Sequence, residues 1–171
     1  MATKTKAAIV SEFLKLVETR QFDKITVTDL VEQCNISRQT FYYHFDDIEK
    51  MLEWAFSVDT DFMCNKIREN DDLSQSAELF TQFMNKYDSL FKSAISTPHF
   101  IFVYNLLANV VYAVSRAYFT KLYKVLNNSH EVLIKFWSNA ILSYAVQELQ
   151  QEDSNYDEVF KCINAFIPKH S

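Results

Sequence analysis

NISRQTFYYHF, residues 35–45, sets two phenylalanines four positions apart among Arg38, Gln39, Thr40, Tyr42, Tyr43 and His44. Ser37 stands where a helix N-cap is favoured. Asn35 stands where the chain must turn sharply, and after Gly it is Asn that best accepts left-handed backbone. On a helical wheel at about 100° per residue, Phe41 and Phe45 fall on one side, with Gln39 and Tyr43 opposite. Thr40 and Tyr42 flank that outer centre, while Arg38 and His44 lie toward the core edge. A helix this short is unstable alone. It has to be anchored by its Phe pair, and it then offers Gln, Thr and Tyr side chains to something outside. The major groove of DNA admits one α-helix and presents base edges and thymine methyls between phosphate walls.

Working outward, Thr26 with Asp29 three residues on forms a capping-box pattern that starts a preceding helix, followed by Leu30, Val31 and Cys34 on one face. Upstream, Ile9, Phe13, Leu16 and Val17 make one apolar stripe over about Lys4 to Thr19, with RQFDK as its exit. Downstream, Asp46 and Asp47 open a fourth helix carrying Ile48, Met51, Leu52, Ala55 and Phe56. Helical spacing continues over residues 74–95 (Leu79, Phe83, Tyr87, Leu90), is broken at Ser96-Thr97-Pro98, resumes to about Leu126, and restarts over 130–150. A last helix has Ser154 and Asp157 at cap spacing and Tyr156, Val159, Phe160, Ile163 and Ile167 on one face.

Composition agrees with an all-α chain. The 171 residues are 49 % hydrophobic and contain no Gly, which removes Gly-rich phosphate loops and the dinucleotide fingerprint and disfavours tight hairpins. Cys34, Cys64 and Cys162 are far apart with no CxxC pair, pointing to a reducing, cytoplasmic setting. The N-terminus has no secretory pattern. The uncharged span 99–115 is short for a membrane crossing and reads as a buried helix. Net charge is −5, and residues 1–50 hold seven Lys and Arg against eight Asp and Glu, so nucleic-acid contact has to be local rather than a basic coat. No catalytic grouping, metal-ligand spacing or cofactor motif stands out; His44 beside Asp46 and Asp47 lacks a nucleophile.

Residues 25–52, ITVTDLVEQCNISRQTFYYHFDDIEKML, resemble the helix-turn-helix of the tetracycline-repressor family through Thr26, Val27, Asp29, Ser37, Thr40, Tyr42, His44, Phe45 and Leu52. Cys34-Asn35, Gln39, Phe41 and Ile48 depart from the family pattern. TFYYHF with the following LEW is similar to a subgroup that includes activators of dihydroxyacetone kinase operons. The resemblance implies a three-helix DNA-binding domain at 1–50 and a larger helical ligand-binding and dimerisation domain at 51–171. It further implies phosphate contacts from Thr26, Thr28, Tyr42 and His44, charge from Arg38 and Lys50, and Thr40 within the same DNA face. Gln39 and Tyr43 fall where the family varies, which suits base readout. The implied partners are an operator duplex, a second copy and a small-molecule or protein effector, with no membrane and no enzymatic activity. The alternative is a helical adaptor of the same fold that contacts a protein.

In the larger part, Asn105, Asn109, Tyr112 and Arg116 make a polar stripe, and Tyr87, Phe91, His99, Phe102 and Trp137 could line an effector pocket with it. A solvated face is the other reading, and burial without a partner side chain would favour the pocket. The helix over 130–150 carries two apolar faces, Leu133/Trp137/Ile141/Tyr144 and Ile134/Leu142/Ala145/Leu149, too wide for one neighbour. With the last helix it resembles the family's four-helix dimer interface, placing Leu133, Ile134, Trp137, Ile141, Tyr144, Ala145, Phe160, Ile163 and Ile167 there.

Overall fold

A computed structural model describes residues 2–69, 75–151 and 154–157. Among these there are seven α-helices and no β-strand: α1 (Ala2–Val17), α2 (Val27–Gln33), α3 (Arg38–His44), α4 (Ile48–Glu69), α5 (Gln75–Ala94), α6 (Phe100–Tyr123) and α7 (Asn128–Glu148). All-α architecture with a helix-turn-helix near the N-terminus is thus as expected. Of the final helix, only its first residues, Tyr156 and Asp157, lie within the described chain; Phe160, Ile163, Ile167 and Cys162 fall outside it.

Two compact units form, Met1–Val58 with Tyr87–Leu106, and Asp59–Lys86 with Leu107–Ser171. In the first, Phe13, Leu30, Phe41, Met51 and Leu52 are buried. Phe56 packs on Tyr87 and Phe91 with ring centroids 4.4 and 6.0 Å away. The exit RQFDK is more than a loop. Phe22–Lys24 make one 3-10 turn whose Phe22 is buried, edge-on to Phe13 and stacked on His99 at 4.3 Å. The Phe22 N–H donates to Ser93 Oγ at 2.6 Å, and His99 Nδ1 lies 3.2 Å from Glu49 Oε1.

In the second unit, Cys64, Ile67 and Ala117 form a buried cluster flanked by Ala113, Val114 and Tyr118. Burial pushes the Cys64 thiol, and in the first unit the Cys34 thiol, above the usual thiol range, so neither is an activated nucleophile. Phe119, Tyr123 and His130 stack in series. The α7 start is set by Asn127, whose side chain accepts from the His130 N–H while His130 Nδ1 accepts from the Asn127 N–H, a reciprocal cap two residues ahead of the expected start. α6 runs 24 residues, ending three short of the expected Leu126; by length and composition it is apolar enough to cross a membrane, and 33 % of its most apolar window is buried, less than the buried helix expected of it.

Candidate nucleic-acid interface

The Thr26 hydroxyl accepts from the Asp29 N–H at 3.2 Å, and Asp29 Oδ2 accepts from the Thr26 N–H at 2.9 Å, closing the capping box that starts α2. Asp29 also meets Arg20 at 2.9 Å. Hydrogen bonds from Thr26 first, then the Arg20 guanidinium, hold the Asp29 carboxyl below its ordinary range. α2 ends at Asn35, which takes φ 50°. The Asn35 N–H donates to Glu32 O and the Ile36 N–H to Val31 O. These are the paired bonds of a Schellman closure, with Asn in the position Gly usually fills. Ser37 then caps α3 by accepting from the Thr40 N–H at 3.0 Å. Two caps and one left-handed residue therefore fix the angle at which α3 leaves α2.

α3 itself spans Arg38–His44, with Phe45 as its extended C-cap. Phe41 is 0 % exposed and Phe45 5 %, against 54 % for Tyr42 and 81 % for Tyr43. Gln39 is exposed as well, and Thr40 and His44 are half-buried. The wheel expectation holds for the Phe pair and for the outward pair. Tyr43 meets His44 edge-on at 5.0 Å. An aromatic hydroxyl layer with an imidazole at its edge can hydrogen-bond phosphate oxygens and base edges without a strong field of its own.

The cationic side chains are less free than their positions in sequence suggest. Arg38 donates to the Thr28 hydroxyl, tying α3 to α2. Lys50 lies 2.7 Å from Glu53, whose hydrogen bond and charge raise its pKa. The Thr26 side chain gives and receives hydrogen bonds within its own cap, and the Thr40 hydroxyl lies 2.9 Å from Ser37 Oγ. Thr26 positions α2 rather than offering a free hydroxyl. Thr28 keeps a hydroxyl hydrogen after accepting from Arg38. One cation escaped the sequence reading: Lys6 Nζ sits 5.0 Å over the Phe45 ring and 5.4 Å over Trp54, a cation–π placement on the α3 C-cap. Nothing in the local pattern of α1 signals it, because the rings come from residues 45 and 54.

Residues 9–55 match the family of bacterial regulatory proteins, tetR family. The match takes in the end of α1, all of α2 and α3 and the start of α4. The chain is 25 % identical over 114 residues to the HTH-type dhaKLM operon transcriptional activator DhaS of Lactococcus lactis, an alignment spanning 63 % of this chain and 61 % of DhaS. It is 43 % identical over 47 residues to the HTH-type regulator EthR of Mycolicibacterium smegmatis, over 28 % of this chain and 22 % of EthR. The IcaR negative regulator of the icaADBC biofilm operon of Staphylococcus aureus is 21 % identical, with 96 % of this chain and 100 % of IcaR aligned. The chain thus covers under two-thirds of the length of two of these relatives. A solved structure, the dihydroxyacetone kinase operon activator DhaS, superposes with a TM-score of 0.76 at 16 % identity, over 94 % of this chain and 92 % of that one, so the fold is shared along nearly all of the chain.

Beyond the helix-turn-helix, the expected effector residues fall in both units. Tyr87, Phe91, His99, Phe102 and Asn105 belong to the first unit, and Asn109, Tyr112, Arg116 and Trp137 to the second. Tyr87 and Phe91 are core aromatics, and His99 is occupied by Phe22 and Glu49. The polar stripe lies at the surface: Asn105, Asn109 and Arg116 are exposed. Glu131 accepts from the Tyr112 hydroxyl at 3.3 Å and from Arg116 at 3.2 Å. Tyr112 and Arg116 thus tie α6 to α7.

On α7 the two apolar faces separate cleanly. Ile134, Leu142, Ala145 and Leu149 are buried inside the unit. Leu133 and Tyr144 are 40 and 44 % exposed, with Trp137 and Ile141 half-buried between them. Val132 and Phe136, which the periodicity did not single out, are more exposed still at 68 and 69 %.

Proposed function

We propose that this TetR-family chain is a cytoplasmic, dimeric, DNA-binding transcription regulator that reads a short pseudo-palindromic operator and answers to an effector. The observation that carries the reading is the split of α3 into a buried Phe41/Phe45 side and an exposed Gln39/Tyr42/Tyr43 side, on a helix whose departure from α2 is fixed by caps. Gln39 and Tyr43 are assigned to base edges, Gln39 to adenine. Tyr42, His44, Thr40 and Thr28 are assigned to phosphates, with Arg38, Lys50 and Lys6 supplying charge and Thr26 orienting α2. Residues 1–50 form the DNA-binding part and 51–171 the regulatory and dimerising part. The names of the relatives, regulators of operons, support the reading; neither an enzymatic step nor a membrane partner enters it.

Because the cations near α3 are few and partly paired, binding should weaken with salt along a shallow slope that counts the phosphates neutralised. The test is selection of bound fragments from genomic DNA by the purified protein, followed by anisotropy on the enriched sequence across a salt series. Enrichment of one motif with paired half-sites about one helical turn apart is the expected outcome. Absence of DNA binding at low salt would leave the adaptor reading, which the net charge of −5 favours.

A further inference from the structure

Between α4 and α5 of the second unit lies a groove lined by Asp59, Phe62, Met63, Leu79, Gln82, Phe83 and Lys86, with a volume of about 140 Å³. Met63 and Phe83 form its buried part, Leu79 is half-buried, and Phe62 stands 53 % exposed as one wall. The polar groups are Gln82 and the ion pair Lys86–Asp59, whose N···O distance is 2.6 Å. None of these residues belongs to the stripe or pocket set considered above.

Size and lining select the occupant. An apolar cavity of roughly 150 Å³ accepts a single benzene ring, so this half-open groove has room for one ring. Charge then decides the substituent. Lys86 and Asp59 already neutralise each other, so a carboxylate seated on Lys86 would displace Asp59 and an ammonium seated on Asp59 would displace Lys86, each leaving one unpaired charge beside apolar walls. A neutral hydroxyl leaves none: its hydrogen donates to a carboxylate and its oxygen accepts from an ammonium or an amide. The pair is partly exposed, with side chains 45 and 24 % accessible, so its own attraction is weak enough to be re-formed around such a group.

We infer that the α4–α5 groove binds a neutral monocyclic phenol, with the ring among Phe62, Met63, Leu79 and Phe83 and the hydroxyl between Asp59 and Lys86. The inference deepens the effector reading of the proposed function and rests on it only for the consequence of binding, not for binding itself.

The test is titration calorimetry of the full chain with phenol, benzoate and benzylamine, with promoter-fragment anisotropy run in parallel. Phenol should bind at least tenfold more tightly than either charged ring. Leu79→Trp, which fills the groove, should abolish the phenol heat. Phe62→Ala, at an exposed position that folding does not need, should weaken it several-fold. No phenol binding, equal binding of the three rings, or binding untouched by both substitutions would overturn the inference. Phenol binding that leaves DNA affinity unchanged upholds the groove and removes its effector role. Phenol binding by a chain that binds no DNA upholds the groove and removes the regulator.

Discussion

α3 and α7 are both two-sided helices, and their outer sides are made differently. α3 is seven residues long and buries Phe41 and Phe45 while exposing Gln39, Tyr42 and Tyr43, groups that water and a nucleic acid can both satisfy. α7 is 21 residues long and buries Ile134, Leu142 and Ala145 while exposing Val132, Leu133 and Phe136, groups that only another apolar surface satisfies. A polar outer side marks an occasional ligand, whereas an apolar one marks a standing partner. The largest break of this comparison is at the α3 anchor. Phe41→Ala should cost about 3–5 kcal/mol, the range for emptying a fully buried aromatic site. Tyr43→Ala, on the opposite side, should stay within about 0.5 kcal/mol. Urea unfolding of the two variants checks this, and similar losses would mean that the outer side is structural.

On α7 the corresponding break is Phe136→Glu. In the dimer proposed above, a charge at the exposed Phe136 should weaken self-association by about 2 kcal/mol or more, roughly thirtyfold in Kd. Sedimentation across a dilution series reads the shift, and the circular dichroism spectrum should not change. An unaltered mass distribution would place the α7 outer side outside any contact between copies.

A finer division runs within α3. Gln39→Ala should cost about 1–3 kcal/mol on the operator and far less on random DNA, whereas Tyr42→Phe and His44→Ala should weaken both by similar factors. Anisotropy on the two duplexes separates base readout from phosphate holding. Equal losses for Gln39→Ala would move it to the phosphate group.

The parts of this architecture that were legible in sequence are those decided within a few residues. The Thr26/Asp29 box, the Asn35 turn, the Ser37 cap and the sidedness of α3 all close over three to five positions, so spacing alone exposes them. What was missed is decided across the chain. Phe22 is buried because Ser93, 71 residues away, takes its N–H and His99 covers its ring. Tyr112 and Arg116 meet Glu131 of α7, 19 and 15 residues away, a tie that no local spacing states. The α4–α5 groove brings Phe62 and Phe83 into one lining, which neither helix's periodicity states.

The α2 cap gives a smaller, pH-dependent effect. Thr26→Ala should cost about 1 kcal/mol, as for other N-cap deletions. Asp29 has its folded pKa below the ordinary 3.8, so its contribution is complete above the unfolded value and is lost as pH falls through the folded one. Stability of the wild-type chain should therefore decline between about pH 5 and pH 2, and Asp29→Asn should flatten that decline. An identical acid profile for the variant would assign the decline to other carboxylates.

The smallest expected effect concerns backbone rather than side chains. With no Gly in the sequence, two left-handed positions are filled by Asn35 at φ 50° and Lys124 at φ 58°. Asn tolerates this conformation, whereas Lys bears the clash of its Cβ, about 1 kcal/mol. Gly relieves that clash but adds unfolded-chain freedom worth roughly 0.5–1 kcal/mol. Lys124→Gly should therefore raise stability by at most a few tenths of a kcal/mol, and Asn35→Gly should leave it level or slightly lower. Denaturation midpoints for the pair decide the matter. A clear gain at Asn35 would show that the α2–α3 turn is held under strain, and would make the fixed entry of α3 a consequence of surrounding packing instead of the local closure made by Glu32, Val31 and Ser37.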